Sequence, residues 1–151
     1  MLKTSIATKV ISFAVLISLL LSSLPTAVVA AQDNNRGLEA KWAKLMETYN
    51  RQLIIHNSVP HQVAHWMSDF RRAPKSKKAE IQKDLDISNV RWVPVASIVM
   101  KHTGFDTQGK VINKAAAQQS IKDLSKALQR YKTSIKNLKA LMRLYGIEDY
   151  V

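Results

Sequence analysis

The stretch Ile121–Tyr145, IKDLSKALQRYKTSIKNLKALMRLY, decides the fold of this chain. Its apolar residues recur at steps of three and four, which predicts one long amphipathic helix. Asn113 is placed to cap the start of this helix, and Gly146 is placed to end it. The predicted helix therefore covers residues 113–145.

The two flanks of this apolar stripe differ in character. One flank carries Lys132 and Lys139. The other flank is small or apolar, with Ser120, Ala127, Ser134 and Leu141. A two-stranded coiled coil usually has charges on both flanks, whereas a stripe widened on one side favours packing against two or more helices. The heptads therefore predict a helical bundle with this helix as its central element.

Two helices are predicted in the first part of the domain. Residues 37–57 carry an apolar stripe at helical spacing. We expect this helix to end before Pro60, because the residue that precedes a proline avoids the helical region. Pro60 would then occupy the first turn of a second helix, residues 60–72, where its missing N–H is not needed.

A third helix is predicted over residues 76–103. Pro94 lies inside its apolar pattern, so we expect either a kink or a break near this residue. The segment Gly104–Gly109 predicts a turn before the last helix. Because the connections are short, the prediction is an all-α, up-and-down antiparallel bundle of about four helices.

The first 30 residues have the layout of a secretory signal peptide. Lys3 and Lys9 supply a positive start, the apolar run Val10–Leu21 follows, and small residues lead to Ala30. The apolar run is shorter than the roughly 20 residues that a membrane-spanning helix needs. We therefore expect cleavage near Ala30, export by the general secretory route, and no transmembrane segment in the mature chain.

The expected mature chain, residues 31–151, is one domain in length. Its first residues, 31–36, are polar and are expected to be disordered. The whole chain carries 23 basic and 11 acidic residues, and cleavage would leave 21 basic residues, a net charge of about +10. Cysteine is absent, which fits a bacterial periplasmic or secreted protein better than a disulfide-bonded eukaryotic one.

The basic residues fall in two clusters that could bind anions. The first cluster surrounds a predicted helix start, where backbone N–H groups add to the positive charge, and comprises Arg71, Arg72, Lys75, Lys77 and Lys78. The second cluster is the outer face of the last helix and comprises Lys122, Lys126, Arg130, Lys132, Lys136, Lys139 and Arg143. In an exported protein these clusters indicate an anionic lipid surface, an anionic wall polymer or an acidic protein as partner, rather than nucleic acid.

His61 and His65 are spaced i, i+4 on a predicted helix and could form half of a zinc or copper site. The segment between them has Gln62 where a zinc protease needs a glutamate as general base, so hydrolysis is not indicated. No other cofactor is indicated.

The chain contains no recognisable catalytic motif. The leading hypothesis is therefore an exported, non-enzymatic bundle that binds an anionic envelope component or an acidic partner protein through its basic surfaces. A metal-binding protein that uses His61 and His65 is the alternative. A further alternative is a subunit of a secretion or surface appendage, which would self-associate through an uncovered apolar stripe.

Overall fold

A computed structural model of the protein describes residues 26–69 and 74–146. It contains three helices: α1 Thr26–Asp69, α2 Lys75–Lys101 and α3 Lys114–Leu144. The described part has no strand, and its only ladder contact is one antiparallel bridge between Phe105 and Val111. The all-α prediction is confirmed for this part of the chain. None of the described helices contains a stretch that is long and apolar enough to cross a bilayer.

The predicted division of the first half into two helices is wrong. A single helix, α1, continues through Pro60, so the described chain has three helices rather than four. A proline inside a helix costs about 3 kcal/mol. Val59, Val63 and Trp66 are all buried around it, and each buried side chain of this size contributes about 1.5–3 kcal/mol. Burial on both sides of Pro60 therefore outweighs the local cost of the proline.

The predicted third helix is α2, and it is not broken at Pro94. Pro94 has no N–H group, so the carbonyl of Val90, one turn earlier, loses its helical hydrogen-bond donor. Both residues lie on the exposed face of α2. Water can therefore reach this carbonyl, while Trp92 and Val95 remain buried on the opposite side. Helix α2 starts at Lys75, one residue before the predicted start, with Pro74 as its N-cap.

The chain divides into two compact units, one that ends at Gly37 and one that begins at Leu38. In the first unit, the described residues 26–37 are helical and form the beginning of α1. They include residues 31–36, for which the sequence predicted disorder, and they follow several alanines with high helix propensity. Most of the predicted signal peptide, residues 1–25, lies outside the described residues.

In the second unit, ring contacts define an up–down–up arrangement of the three helices. Tyr49 of α1 stacks on Trp92 of α2 with 5.4 Å between ring centroids. His56 of α1 contacts both Trp92 and Tyr131 of α3, at 4.7 and 5.9 Å. At the far end of α3, the Tyr145 hydroxyl donates to Glu80 near the start of α2. Trp42, earlier on α1, contacts His102 just after the end of α2, with 4.7 Å between ring centroids. Helix α2 is therefore antiparallel to both α1 and α3.

The core confirms the apolar stripe predicted for α3. Its buried residues are Ala117, Leu124, Ala127, Leu128, Tyr131, Ile135, Leu138 and Met142. Asn113 caps the helix as expected, because its side chain accepts a hydrogen bond from the Ala116 N–H at 3.0 Å. Gly146 has a φ of 76° after the last turn, a conformation that favours glycine. The sequence therefore predicted both ends of α3 as well as its inner face.

A tight turn joins α2 to α3. The Asp106 carboxylate accepts hydrogen bonds from the backbone N–H groups of Gln108 and Lys110, both at 2.8 Å, and Gly109 has a φ of 78°. Gly104 lies against the first turn of α3, where a Cβ would come within 2.3 Å of the Ala117 nitrogen. The two glycines therefore serve different purposes, the first a close approach and the second a positive φ.

Candidate anion-binding surfaces

The seven cations predicted on the last helix all lie on α3. Six of them are exposed, and Lys139 is half-buried. Helical spacing divides them into two rows, because residues three or four apart are neighbours on a helix surface. The first row contains Lys122, Lys126 and Arg130. The second row contains Lys132, Lys136, Lys139 and Arg143.

Most of this charge is not neutralised within the described protein. Asp123 is the one acidic residue of α3, and its carboxylate accepts a hydrogen bond from the Gln119 side chain at 2.8 Å. Among the described residues, no carboxylate lies within 4.0 Å of the side-chain nitrogens of Lys122, Lys126, Arg130, Lys132 or Lys136. These five cations therefore present their full charge to solvent.

The first predicted cluster is only partly within the described residues. Arg71 and Arg72 lie outside them. Lys75, Lys77 and Lys78 occupy the first turn of α2, which contains no acidic residue and has no side-chain cap. The Pro74 carbonyl accepts backbone hydrogen bonds from Lys77 and Lys78 at 3.1 and 3.4 Å. The three lysines therefore add charge to the positive end of the helix dipole.

The start of α2 and the end of α3 meet at one end of the bundle. The Lys77 ammonium lies 4.7 Å from the centroid of the Tyr145 ring, a cation–π contact. The Tyr145 hydroxyl donates to the Glu80 carboxylate, which raises the pKa of Tyr145. Arg143 lies in the last turn of α3. The structure therefore brings together the ends of the two basic clusters, Lys78 and Arg143, which are 65 residues apart in the chain.

His61 and His65 lie on consecutive turns of α1, and both are exposed. The other two histidines lie elsewhere, since His56 contacts Trp92 and His102 contacts Trp42, with 4.7 Å between the ring centroids in each pair. No group of three or more histidine, cysteine, aspartate or glutamate side chains in the described residues could hold a metal ion. His61 and His65 are therefore two exposed histidines on one face of α1, at i, i+4 spacing.

The histidine with the most constrained environment is His56. Its ring stacks on Trp92 at an interplanar angle of 19° and meets the Tyr131 ring edge-on. Burial lowers the pKa of His56, because the charged imidazolium loses hydration there. Burial also raises the pKa of Tyr131. The partners of His56 on α2 and α3 depend on the tertiary fold, so the spacing of residues within α1 could not predict them.

An open groove of about 490 Å³ runs between α2 and α3 and was not predicted from the sequence. Asp84, Ile87 and Arg91 line it from α2, and its lining from α3 includes Arg130 and Asn137. Arg130 was predicted as part of the basic face, whereas Arg91 is isolated in the sequence and becomes its neighbour only through the packing of the two helices. The first row of α3 therefore ends at this groove.

Comparison of the chain with protein-family models, curated proteins and solved structures gives no match.

Proposed function

We propose that this is an exported, non-enzymatic binding protein whose basic surfaces contact an anionic component of the cell envelope. The observation that carries the proposal is the set of five exposed cations on α3 that have no carboxylate partner in the described residues. Exposed like charges on one helix face give no stability of their own and repel one another by a few tenths of a kcal/mol per pair. A surface of this kind is well suited to an external anion.

The signal-peptide pattern of residues 1–30 supports the location, and location defines the class of partner. Outside the cytoplasm the abundant polyanions are lipid headgroups and wall polymers, with acidic proteins as a third source. The apolar side of α3 is buried in the bundle core. Contact with a lipid surface would therefore be peripheral and electrostatic, because insertion of α3 would require the bundle to open.

Binding to anionic vesicles and to a soluble wall polymer, at two salt concentrations, tests this proposal. We expect affinity to fall steeply between 50 and 200 mM salt, since screening weakens contacts between exposed charges. The variant Lys122→Gln/Lys126→Gln/Lys132→Gln/Lys136→Gln should bind much more weakly than Lys41→Gln/Lys44→Gln/Lys83→Gln/Lys101→Gln, which removes the same charge from other exposed positions.

The cluster at the start of α2 needs its own variant. Substitution of Arg71, Arg72, Lys75, Lys77 and Lys78 by glutamine should also reduce affinity if this corner takes part. If neither the α3 variant nor this variant weakens binding relative to the control, the basic surfaces are not the contact surface and the proposal fails.

A second candidate function, as a subunit of a secretion or surface appendage, is favoured by apolar exposure on α2. Val90, Val93 and Met100 are 69, 65 and 74% exposed, and Ile87 is 41% exposed. A subunit that self-associates would cover such a stripe. Sedimentation of the wild type and of Val90→Asp tests this candidate. Concentration-dependent oligomers that Val90→Asp abolishes would support it, and a monomer at all concentrations would exclude it.

The exposure of both His61 and His65 on one helix keeps metal binding as a further proposal, with zinc or copper as the ion. A metal that binds only the folded state raises the melting temperature. With free zinc equal to its dissociation constant, the gain is about 0.4 kcal/mol. A melting temperature that responds to zinc equally in the wild type and in His61→Ala/His65→Ala would exclude this pair as ligands.

A further inference from the structure

The groove between α2 and α3 contains polar side chains that form no ion pair or side-chain hydrogen bond with other described residues. Arg91 and Arg130 approach it from different helices, and both are exposed. Neither guanidinium lies within 4.0 Å of a carboxylate among the described residues, although Asp84 lines the same groove. Over the same part of the chain, the side chains of Asp84 and Asn137 make no hydrogen bond. One groove therefore offers two guanidinium groups, one amide and one carboxylate.

We infer that this groove is the binding site for a hydroxylated anionic polymer, a chain whose repeating unit carries one negative group and one or more hydroxyl groups. The inference rests on the proposed function, because it names the site and the ligand class for the anionic partner. It separates one source of negative charge, a glycan or polyol chain of the envelope, from a lipid surface.

Arg91 and Arg130 are the residues that would bind the negative group of the polymer. A guanidinium presents five N–H donors in a planar fork that matches the oxygens of a carboxylate or a phosphate. Arg91 lines the groove from α2 and Arg130 lines it from α3, so the groove offers guanidinium groups from two helices to an anionic chain. A single polymer chain can follow such an open groove, whereas a lipid bilayer would meet it as a flat surface.

Asp84 and Asn137 are the residues that would accept hydrogen bonds from the hydroxyl groups of the polymer. The Asp84 carboxylate would repel a bare anion such as sulfate. We therefore would not expect Asp84 in a site that binds simple anions. A polyol instead donates O–H groups, which a carboxylate and an amide oxygen can accept. Ile87 adds an apolar patch to the same wall, which can contact the C–H groups of a sugar or polyol.

The first row of α3, Lys122, Lys126 and Arg130, extends this binding site along the helix. Lys126 and Lys122 lie one and two turns before Arg130, on the same side of α3. Four residues of helix span about 6 Å, so the three cations are spaced about 6 Å apart along the axis. A polymer with one negative group per repeating unit of similar length would therefore meet a cation at each repeat.

The experiment measures the affinity of the full-length protein for four probes at one salt concentration. These are an alginate oligomer, poly(glycerol phosphate), polyglutamate of the same charge, and vesicles of phosphatidylserine and phosphatidylcholine, whose headgroups carry no hydroxyl group. We expect tighter binding to alginate or to poly(glycerol phosphate) than to polyglutamate or vesicles, because only the first two carry hydroxyl groups. Whichever of these two binds more tightly identifies the anionic group as a carboxylate or a phosphate.

Two pairs of substitutions locate the site. Arg91→Gln/Arg130→Gln removes two charges from the groove, and the control Lys41→Gln/Lys44→Gln removes two exposed charges from α1, outside both basic clusters. Loss of a charge-assisted contact costs about tenfold in affinity, so the groove variant should lose about 100-fold and the control only a few-fold. Asn137→Ala should reduce the preference for alginate over polyglutamate. Melting temperatures of all variants should match the wild type.

The possible failures are distinguishable. Equal losses of affinity in the groove variant and the control would overturn the groove as the binding site. The proposal for the basic surfaces, which has its own variants, would remain intact. Equal affinity for alginate and polyglutamate, or tightest binding to vesicles, would overturn the assignment of a hydroxylated polymer. No measurable binding of the wild type to any anionic probe would overturn the proposed function itself.

Discussion

The inner and outer faces of α3 come from the same 31 residues but have opposite roles. The inner face is buried and periodic, and it contacts α1 and α2 through Tyr131 at the centre of the bundle. The outer face contains a set of exposed cations with no carboxylate partner in the described residues. The difference indicates that stability comes from one face, and that the charge of the other face is available for a partner.

The largest effect should come from truncation of the inner face. Leu138 is fully buried, so Leu138→Ala should lower the free energy of unfolding by about 2–5 kcal/mol, through lost apolar burial and a cavity. Urea unfolding followed by circular dichroism measures this loss. Lys136→Ala, two residues away on the outer face, is the control and should change stability by less than about 0.5 kcal/mol. Equal losses in the two variants would remove the distinction between the faces.

The next effect tests how closely the turn packs on the inner face. Gly104→Ala would place a Cβ 2.3 Å from the Ala117 nitrogen, and the backbone would have to shift at a cost of about 1–3 kcal/mol. Gly37→Ala is the matched control, because nothing lies within 4 Å of its Cβ position. A helical Gly37→Ala should stabilise the protein by about 0.5–1 kcal/mol. Thermal unfolding of the two variants should therefore shift in opposite directions.

A third substitution should stabilise the core although it removes a polar group. The Tyr131 hydroxyl is buried and has no hydrogen-bond partner in the described residues. A buried polar group without a partner carries a desolvation cost of about 1–3 kcal/mol. Tyr131→Phe keeps the ring contacts with His56 and Trp92, so it should raise the free energy of unfolding by about 1 kcal/mol. A loss of stability in urea unfolding would show that the hydroxyl is bonded.

The pH dependence of stability should reflect His56 at the centre of the bundle. Burial lowers its pKa in the folded state, so below about pH 6.5 the unfolded chain binds more protons than the folded one. Stability should therefore be greatest above this pH and fall as the pH drops toward the folded-state pKa. In His56→Phe, urea unfolding at pH 7.5 and pH 5.5 should show a smaller difference than in the wild type. An unchanged difference would assign the pH dependence to other groups.

The smallest effect on stability should come from the outer face of α3. Glutamine at Lys122, Lys126, Lys132 and Lys136 removes exposed charges that have no carboxylate partner in the described residues. The melting temperature should remain within about 2 °C of the wild type, because exposed charges contribute little and like charges repel. A large drop would show that these side chains support the fold.

The sequence predicted α3 well because a single property, apolar periodicity, determines both its extent and its buried face. It failed at Pro60, because the local cost of a proline is opposed there by burial of Val59 and Val63 in the core. The same limit applies to the candidate site. The outer cations of α3 follow from spacing alone, whereas the groove requires Arg91 and Arg130 to meet across two helices. Tertiary contacts of this kind leave no pattern in either helix alone.

The central claim is that the outer face of α3 binds a polyanion, and the salt dependence of that binding tests it most directly. The measurement is the slope of log affinity against log salt concentration for alginate, in the wild type and in the variant with glutamine at Lys122, Lys126, Lys132 and Lys136. Each cation that contacts the polymer steepens this slope, so the slope should be steep in the wild type and clearly shallower in the variant. Identical slopes in the two proteins would contradict it.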